Sequence, residues 1–129
     1  MTAGISASMT AQLPPPPDGR QWVRLCPASE VPDDEGRRIG TVPPVAAFRQ
    51  GTEFFCIDDT CTHEEYSLAE GWAEDGVVEC TLHFAKFSLR TGEVLAPPAT
   101  EAVKTHPVAV AGDDLYGALP ANYLTRKGG

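Results

Sequence analysis

Cys61-Thr62-His63, then sixteen residues, then Cys80-Thr81-Leu82-His83, is the stretch on which the reading of this chain turns. Each pair offers one thiolate and one imidazole. Each follows a strand-like run, Thr52 to Ile57 for the first and Val77 to Glu79 for the second, so a loop can turn both side chains toward one point. The intervening residues carry their own hairpin signal: Glu74-Asp75-Gly76 between Trp72-Ala73 and Val77-Glu79. That hairpin could bring the two loops face to face. Mixed sulfur and nitrogen donors make a soft site. Held around one tetrahedral ion, the four suit zinc; divided between two metals, they suit a pair of inequivalent irons. Zinc sites usually pair Cys with Cys and His with His, whereas here each loop supplies one of each. The plant-type iron–sulfur spacing C-x₄-C-x₂-C starts correctly at Cys56 and Cys61 but meets Glu64 where the third Cys should stand.

Outward from these loops the chain reads as short strands separated by turn chemistry. Trp22 to Cys26 alternates and ends at Pro27. Arg38 to Val42 is a second strand. Val45 to Arg49 and Thr52 to Ile57 flank Gln50-Gly51. Lys86 to Arg90 and Glu93 to Leu95 flank Thr91-Gly92, and Val103 to Val110 and Leu115 to Leu119 flank Gly112-Asp113. No amphipathic helix exceeds two turns; Ser67 to Glu70 allows one turn. The expected fold class is all-β, a small antiparallel sandwich or partly open barrel.

The length of 129 residues allows one domain and leaves no room for a large catalytic barrel or a doubly wound nucleotide domain. Residues 1–20, with Pro14-Pro15-Pro16-Pro17, read as a disordered Pro-rich tail. The domain is expected over 21–120, and 121–129 form a C-terminal tail. Ten Lys and Arg against eighteen Asp and Glu give a net charge of −8, which argues against nucleic acid and anionic membranes as partners. With four Cys in an acidic chain lacking a signal sequence, the expected location is cytoplasmic. From Gln50 to Ala85 there are nine acids and no Lys or Arg: either a solvated acidic face or a field that steers the loops toward basic partners.

The stretches Asp58-Asp59-Thr60-Cys61-Thr62-His63, Ser67-Leu68-Ala69-Glu70-Gly71 and Glu79-Cys80-Thr81-Leu82-His83-Phe84-Ala85-Lys86-Phe87 resemble the Rieske [2Fe–2S] proteins, and among them the small ferredoxins of bacterial aromatic-ring dioxygenase systems. The resemblance runs from about Trp22 to Leu119. It implies a Rieske-like β-sandwich with two cluster-binding loops and one [2Fe–2S] cluster, with Cys61 and Cys80 on one iron and His63 and His83 on the other. It implies a one-electron carrier rather than an enzyme, passing electrons from an NADH-dependent, flavin-containing ferredoxin reductase to a terminal non-haem iron oxygenase. Two departures separate it from high-potential Rieske proteins. Their loop disulfide would need Cys at Tyr66 and Leu82, and their hydroxyl donors stand where this chain has Ala85 and Phe87. Fewer donors to sulfur imply a lower potential. The alternatives are a Rieske-like small subunit of a nitrite reductase, a redox sensor, and a zinc-stabilised module.

The remaining candidates read as structural. Cys26 and Cys56 fit core thiols. His106, before Pro107, fits an ordinary surface or strand histidine. Trp22 and Trp72 fit core or cap positions. Phe84 and Phe87 fit core packing that also shields the cluster, and Pro97-Pro98-Ala99 matches the Pro-bearing loop that covers the cluster in the family. No nucleophile–base pair, phosphate loop or dinucleotide fingerprint is present.

Overall fold

The structure is a computed structural model that describes residues 13–61, 67–80, 85–97 and 101–123. Among the described residues eleven strands follow in chain order: β1 (Arg20–Pro27), β2 (Gly36–Ile39), β3 (Val45–Gln50), β4 (Glu53–Asp58), β5 (Trp72–Glu74), β6 (Val77–Glu79), β7 (Lys86–Ser88), β8 (Val94–Ala96), β9 (Thr105–His106), β10 (Val108–Ala111) and β11 (Asp114–Pro120). Two single 3₁₀ turns, Ala28–Glu30 and Leu68–Glu70, are the helical elements among the described residues. The strands form three antiparallel sheets, ordered β1-β11-β10, β2-β3-β4-β9 and β5-β6-β7-β8.

The turns follow their chemistry. Gly51, Gly112 and the pair Asp75-Gly76 all adopt positive φ, the conformation that tight hairpins need. Two strand expectations shift. The second strand lies at Gly36–Ile39 rather than Arg38–Val42, because Gly36 pairs with Phe48 and its missing Cβ lets it approach that ring and the Ala69 Cα. The run Val103 to Val110 divides at Pro107, which has no N–H to give. Before it, β9 pairs with β4; after it, β10 pairs with β11.

The β2-β3-β4-β9 sheet is the middle layer. Along β3, Val45 and Ala47 join one cluster with Val23, Leu25, Leu115 and Leu119, while Ala46 and Phe48 join a second with Leu68, Val78 and Phe87. Both faces of this sheet are therefore covered, which is why Val45 to Phe48 is apolar without alternation. Each large side chain buried here stabilises the fold by about 1.5–3 kcal/mol before entropy is counted. Packing also runs past residue 120: Tyr123 is buried in the first cluster. At the other end, Trp22 is half-buried and its indole N–H donates to the Pro14 carbonyl, while the Arg20 amide donates to Pro17, so 13–20 lie along β1.

Candidate metal centre

Cys61 and Cys80 are brought into one apolar cluster, with Ala46, Ile57, Leu68, Ala85 and Phe87 around them, and both are buried. No disulfide joins them. His63 and His83 lie outside the described residues, as do Tyr66, Leu82 and Phe84.

The backbone closes each loop at its base. Thr60 and Ser67 pair as an antiparallel bridge, and the Leu68 amide donates to the Asp59 carbonyl at 2.6 Å. The first loop therefore leaves and returns at one point. For the second, the Cys80 amide donates to the Ala85 carbonyl at 2.7 Å. The two bases touch. A Cβ on Gly71 would lie 2.1 Å from the Glu79 carbonyl oxygen, so only glycine allows the chain leaving the first loop to press against the residue before Cys80. A third segment is tied alongside. The Asp58 amide donates to Lys104, and Val103 donates to Gly92. Pro97 at its near end is exposed; Pro98 and Ala99 lie outside the described residues.

Asp59 is the polar key of the first loop. It is 2% exposed, yet its carboxylate is fully engaged. Oδ1 accepts from the Ser67 hydroxyl and the Ala69 amide, both at 2.9 Å, and Oδ2 faces Arg38 Nε at 3.3 Å. The Ala69 bond caps the 3₁₀ turn from outside it. Ser67 makes no side-chain cap of its own, although Ser67-Leu68-Ala69-Glu70 has the capping-box pattern. Asp59 thus belongs neither to a solvated acidic face nor to a steering field. Asp59→Ala should cost about 2–4 kcal/mol, because it removes the acceptor of a half-buried hydroxyl and a half-buried amide and the partner of Arg38. Chemical denaturation measures that loss, and the cluster chromophore should bleach faster than in the wild type; an unchanged midpoint would refute the clamp.

A second buried network braces the strand that leads into this loop. His106 is not a surface residue: its side chain is fully buried between β4 and the C-terminal segment. Its Nδ1 lies 2.9 Å from Arg20 and its Nε2 lies 2.9 Å from Asp58 Oδ1. Arginine only donates, so Nδ1 accepts and Nε2 carries the hydrogen given to Asp58. The Tyr123 hydroxyl donates to the same Asp58 oxygen at 2.8 Å. Burial and the bond to Asp58 push the Tyr123 pKa upward, so the hydroxyl keeps its proton. The tie between the chain end and Asp58 has no local signal in sequence, since its members lie 48 and 65 residues from Asp58.

Cys26 and Cys56 are buried core residues as expected, and desolvation raises both thiol pKa values, that of Cys56 strongly. Phe87 and Ala85 are fully buried in the cluster that holds Cys61 and Cys80. Trp72 departs from the expected core position: it is 59% exposed. In β5 the alternation sends Ala73 inward, and its neighbours Trp72 and Glu74 outward.

A buried pair of thiols on two loops pinned at the base, with an imidazole two or three residues beyond each thiol, is a donor set that fits a cluster whose irons take sulfur on one side and nitrogen on the other. Comparison with known proteins agrees. A Rieske [2Fe-2S] domain matches residues 21–107, and the chain belongs to that family. It is an electron-transfer ferredoxin that carries one [2Fe–2S] cluster. It is 47% identical over 99 residues to the 3-phenylpropionate/cinnamic acid dioxygenase ferredoxin subunit of Escherichia coli (strain K12), a match spanning 76% of this chain and 93% of that one. Among solved structures, the Sphingomonas yanoikuyae B1 ferredoxin superposes with a TM-score of 0.73 at 28% identity, covering 78% of this chain and all of the other. A chain from the complex of reduced oxygenase and oxidized ferredoxin in carbazole 1,9a-dioxygenase gives a TM-score of 0.71 at 34% identity, covering 75% of this chain and 92% of that one. The nitrite reductase small subunit of Mycobacterium tuberculosis superposes with a TM-score of 0.70 at 19% identity, a likeness of fold alone.

Proposed function

We propose that the protein is the shuttle ferredoxin of an aromatic-ring dioxygenase system, receiving single electrons from an NADH-dependent flavoprotein reductase and delivering them to a terminal Rieske non-haem iron oxygenase in the cytoplasm. Cys61 and Cys80 hold one iron, and His63 and His83 hold the other. When bound, the cluster supplies the one-electron couple. The chain's own residues fix the loops, exclude water from the sulfur side and set the surrounding charge. The observation that carries this reading is the convergence of Cys61 and Cys80 in one buried cluster at the bases of two pinned loops. The likeness to a dioxygenase ferredoxin over most of both chains supports it and favours it over the nitrite reductase reading. No helix among the described residues is long and apolar enough to cross a membrane, which accords with a carrier that diffuses between partners.

Glu70 and Glu79, which flank the bases of the two loops, disfavour the more negative reduced state and attract basic partner surfaces. The purified holoprotein should therefore pass electrons from the reductase to the oxygenase of the E. coli 3-phenylpropionate/cinnamic acid dioxygenase system. The association rate should fall several-fold between about 50 and 500 mM salt, as screening shortens the reach of surface charge. A holoprotein that neither partner reduces or oxidises would overturn the assignment.

A further inference from the structure

The outer face of the β5-β6-β7-β8 sheet carries an exposed aromatic residue, Trp72. In register, Trp72 of β5 stands across from Glu79 of β6, Glu79 across from Lys86 of β7, and Lys86 across from Ala96 of β8. Glu79 in that row precedes Cys80, and Trp72 begins the strand that leaves the first loop, so this end of the face borders the bases of both loops. Trp72 is 59% and Leu95 51% exposed. Between them is a shallow open depression of 390 Å³, floored by Val77 and rimmed by Glu74, Glu79 and Lys86. Asp75 lies beside it at the hairpin tip. None of these carboxylates forms an ion pair with another described residue. Lys86 faces Glu79 across the ladder, which leaves Glu74 and Asp75 as uncompensated charge.

An indole face, an aliphatic wall and free carboxylates in one concavity match the three parts of an arginine side chain. The guanidinium stacks on the ring, the methylene stem lies on Leu95 and Val77, and the charge meets the acids. Exposed Trp is the residue type that most often anchors an interface, and interface pockets commonly receive arginine. We propose that this depression is the socket for an arginine side chain of the terminal oxygenase, which anchors the ferredoxin by its flank while the cluster loops face the acceptor. The choice of partner rests on the function proposed above and on the charge complementarity of the socket. It also draws on the relative that is 34% identical, which comes from a complex with its oxygenase. The inference adds a contact away from the loops themselves.

The test compares wild type, Trp72→Ala, Trp72→Phe and Glu74→Gln, all as holoproteins, for binding to the oxygenase and to the reductase of the E. coli 3-phenylpropionate/cinnamic acid dioxygenase system. Trp72 is 59% exposed and Glu74 lies at the hairpin end away from the loop bases, so all four should fold and show the same cluster spectrum and potential. Trp72→Ala should weaken oxygenase binding about thirtyfold and Trp72→Phe about threefold, while reductase binding stays unchanged. Glu74→Gln should weaken it a few-fold and flatten its salt dependence. Oxygenase binding that survives Trp72→Ala overturns the socket. So does an equal loss toward the reductase, which would make the patch a common docking face. Wild-type self-association abolished by Trp72→Ala would overturn it as well, by making the occupant a second copy of this chain. Failure of the wild type to bind either partner overturns the shuttle reading itself, which separates the two failures.

Discussion

His63→Ala is expected to leave a folded protein without the Rieske chromophore. The proposed ligand set puts His63 on one iron with His83, and a ligand of the metal itself has no substitute in an alanine methyl. Even residues one step removed from a metal cost about 10–100-fold in affinity when changed, so a direct ligand should cost more. Iron per purified chain should drop at least about tenfold, and the visible absorption and reduced-state EPR signal should vanish. His106→Ala is the informative contrast. That imidazole is committed to Arg20 and Asp58, so its loss should lower stability by about 3 kcal/mol and leave the cluster spectrum in place. A His63→Ala protein that keeps the spectrum, or a His106→Ala protein that folds but loses it, would reverse the ligand assignment.

Gly71→Ala should be among the most damaging small substitutions in the chain. The added Cβ would sit 2.1 Å from the Glu79 carbonyl oxygen, a backbone atom fixed in the β6 ladder. No flexible side chain is there to move aside. Either the Leu68–Glu70 turn lifts away from Glu79 or β6 shifts and carries Cys80 with it. The cost should be at least about 3 kcal/mol, at the upper end of overpacking effects. Thermal and chemical denaturation of the holoprotein measure it. A second consequence sets this position apart from an ordinary packing site: the bases of both loops part together, so iron content should fall along with stability. Gly40→Ala, with no atom within 4 Å of the added Cβ, should do neither. A Gly71→Ala protein as stable as the wild type would show that the two loop bases are not pressed together.

The hairpins and the meeting of Cys61 and Cys80 were legible because their information is local. Asp75-Gly76 and Gly112 need positive φ, and glycine beside a small polar residue supplies it; two Cys/His pairs are a pattern of residue type and spacing. Asp59 was not legible, because its meaning depends on closure of the first loop, which brings Ser67 and Ala69 onto its carboxylate. In sequence it is one acid among nine. The single turn expected over Ser67 to Glu70 is present at Leu68–Glu70, but the residue that caps it, Asp59, lies outside that stretch. Gly71 could be read only as a turn glycine, since the carbonyl it accommodates belongs to another strand. Trp72 was misplaced because a three-residue strand offers too little alternation to say which face is inward, and large aromatics are assigned to cores by default. The continuous apolar run in β3 has its reason in the three-layer packing, which covers both faces of its sheet.

Iron, acid-labile sulfide and zinc content of the purified protein, measured beside the EPR of its reduced form, test the central claim most directly. Two irons and two sulfides per chain, with a reduced-state signal from a localised mixed-valence pair, are predicted for a [2Fe–2S] cluster held by two thiolates and two imidazoles. A colourless, EPR-silent protein holding one zinc ion on the same loops would contradict it.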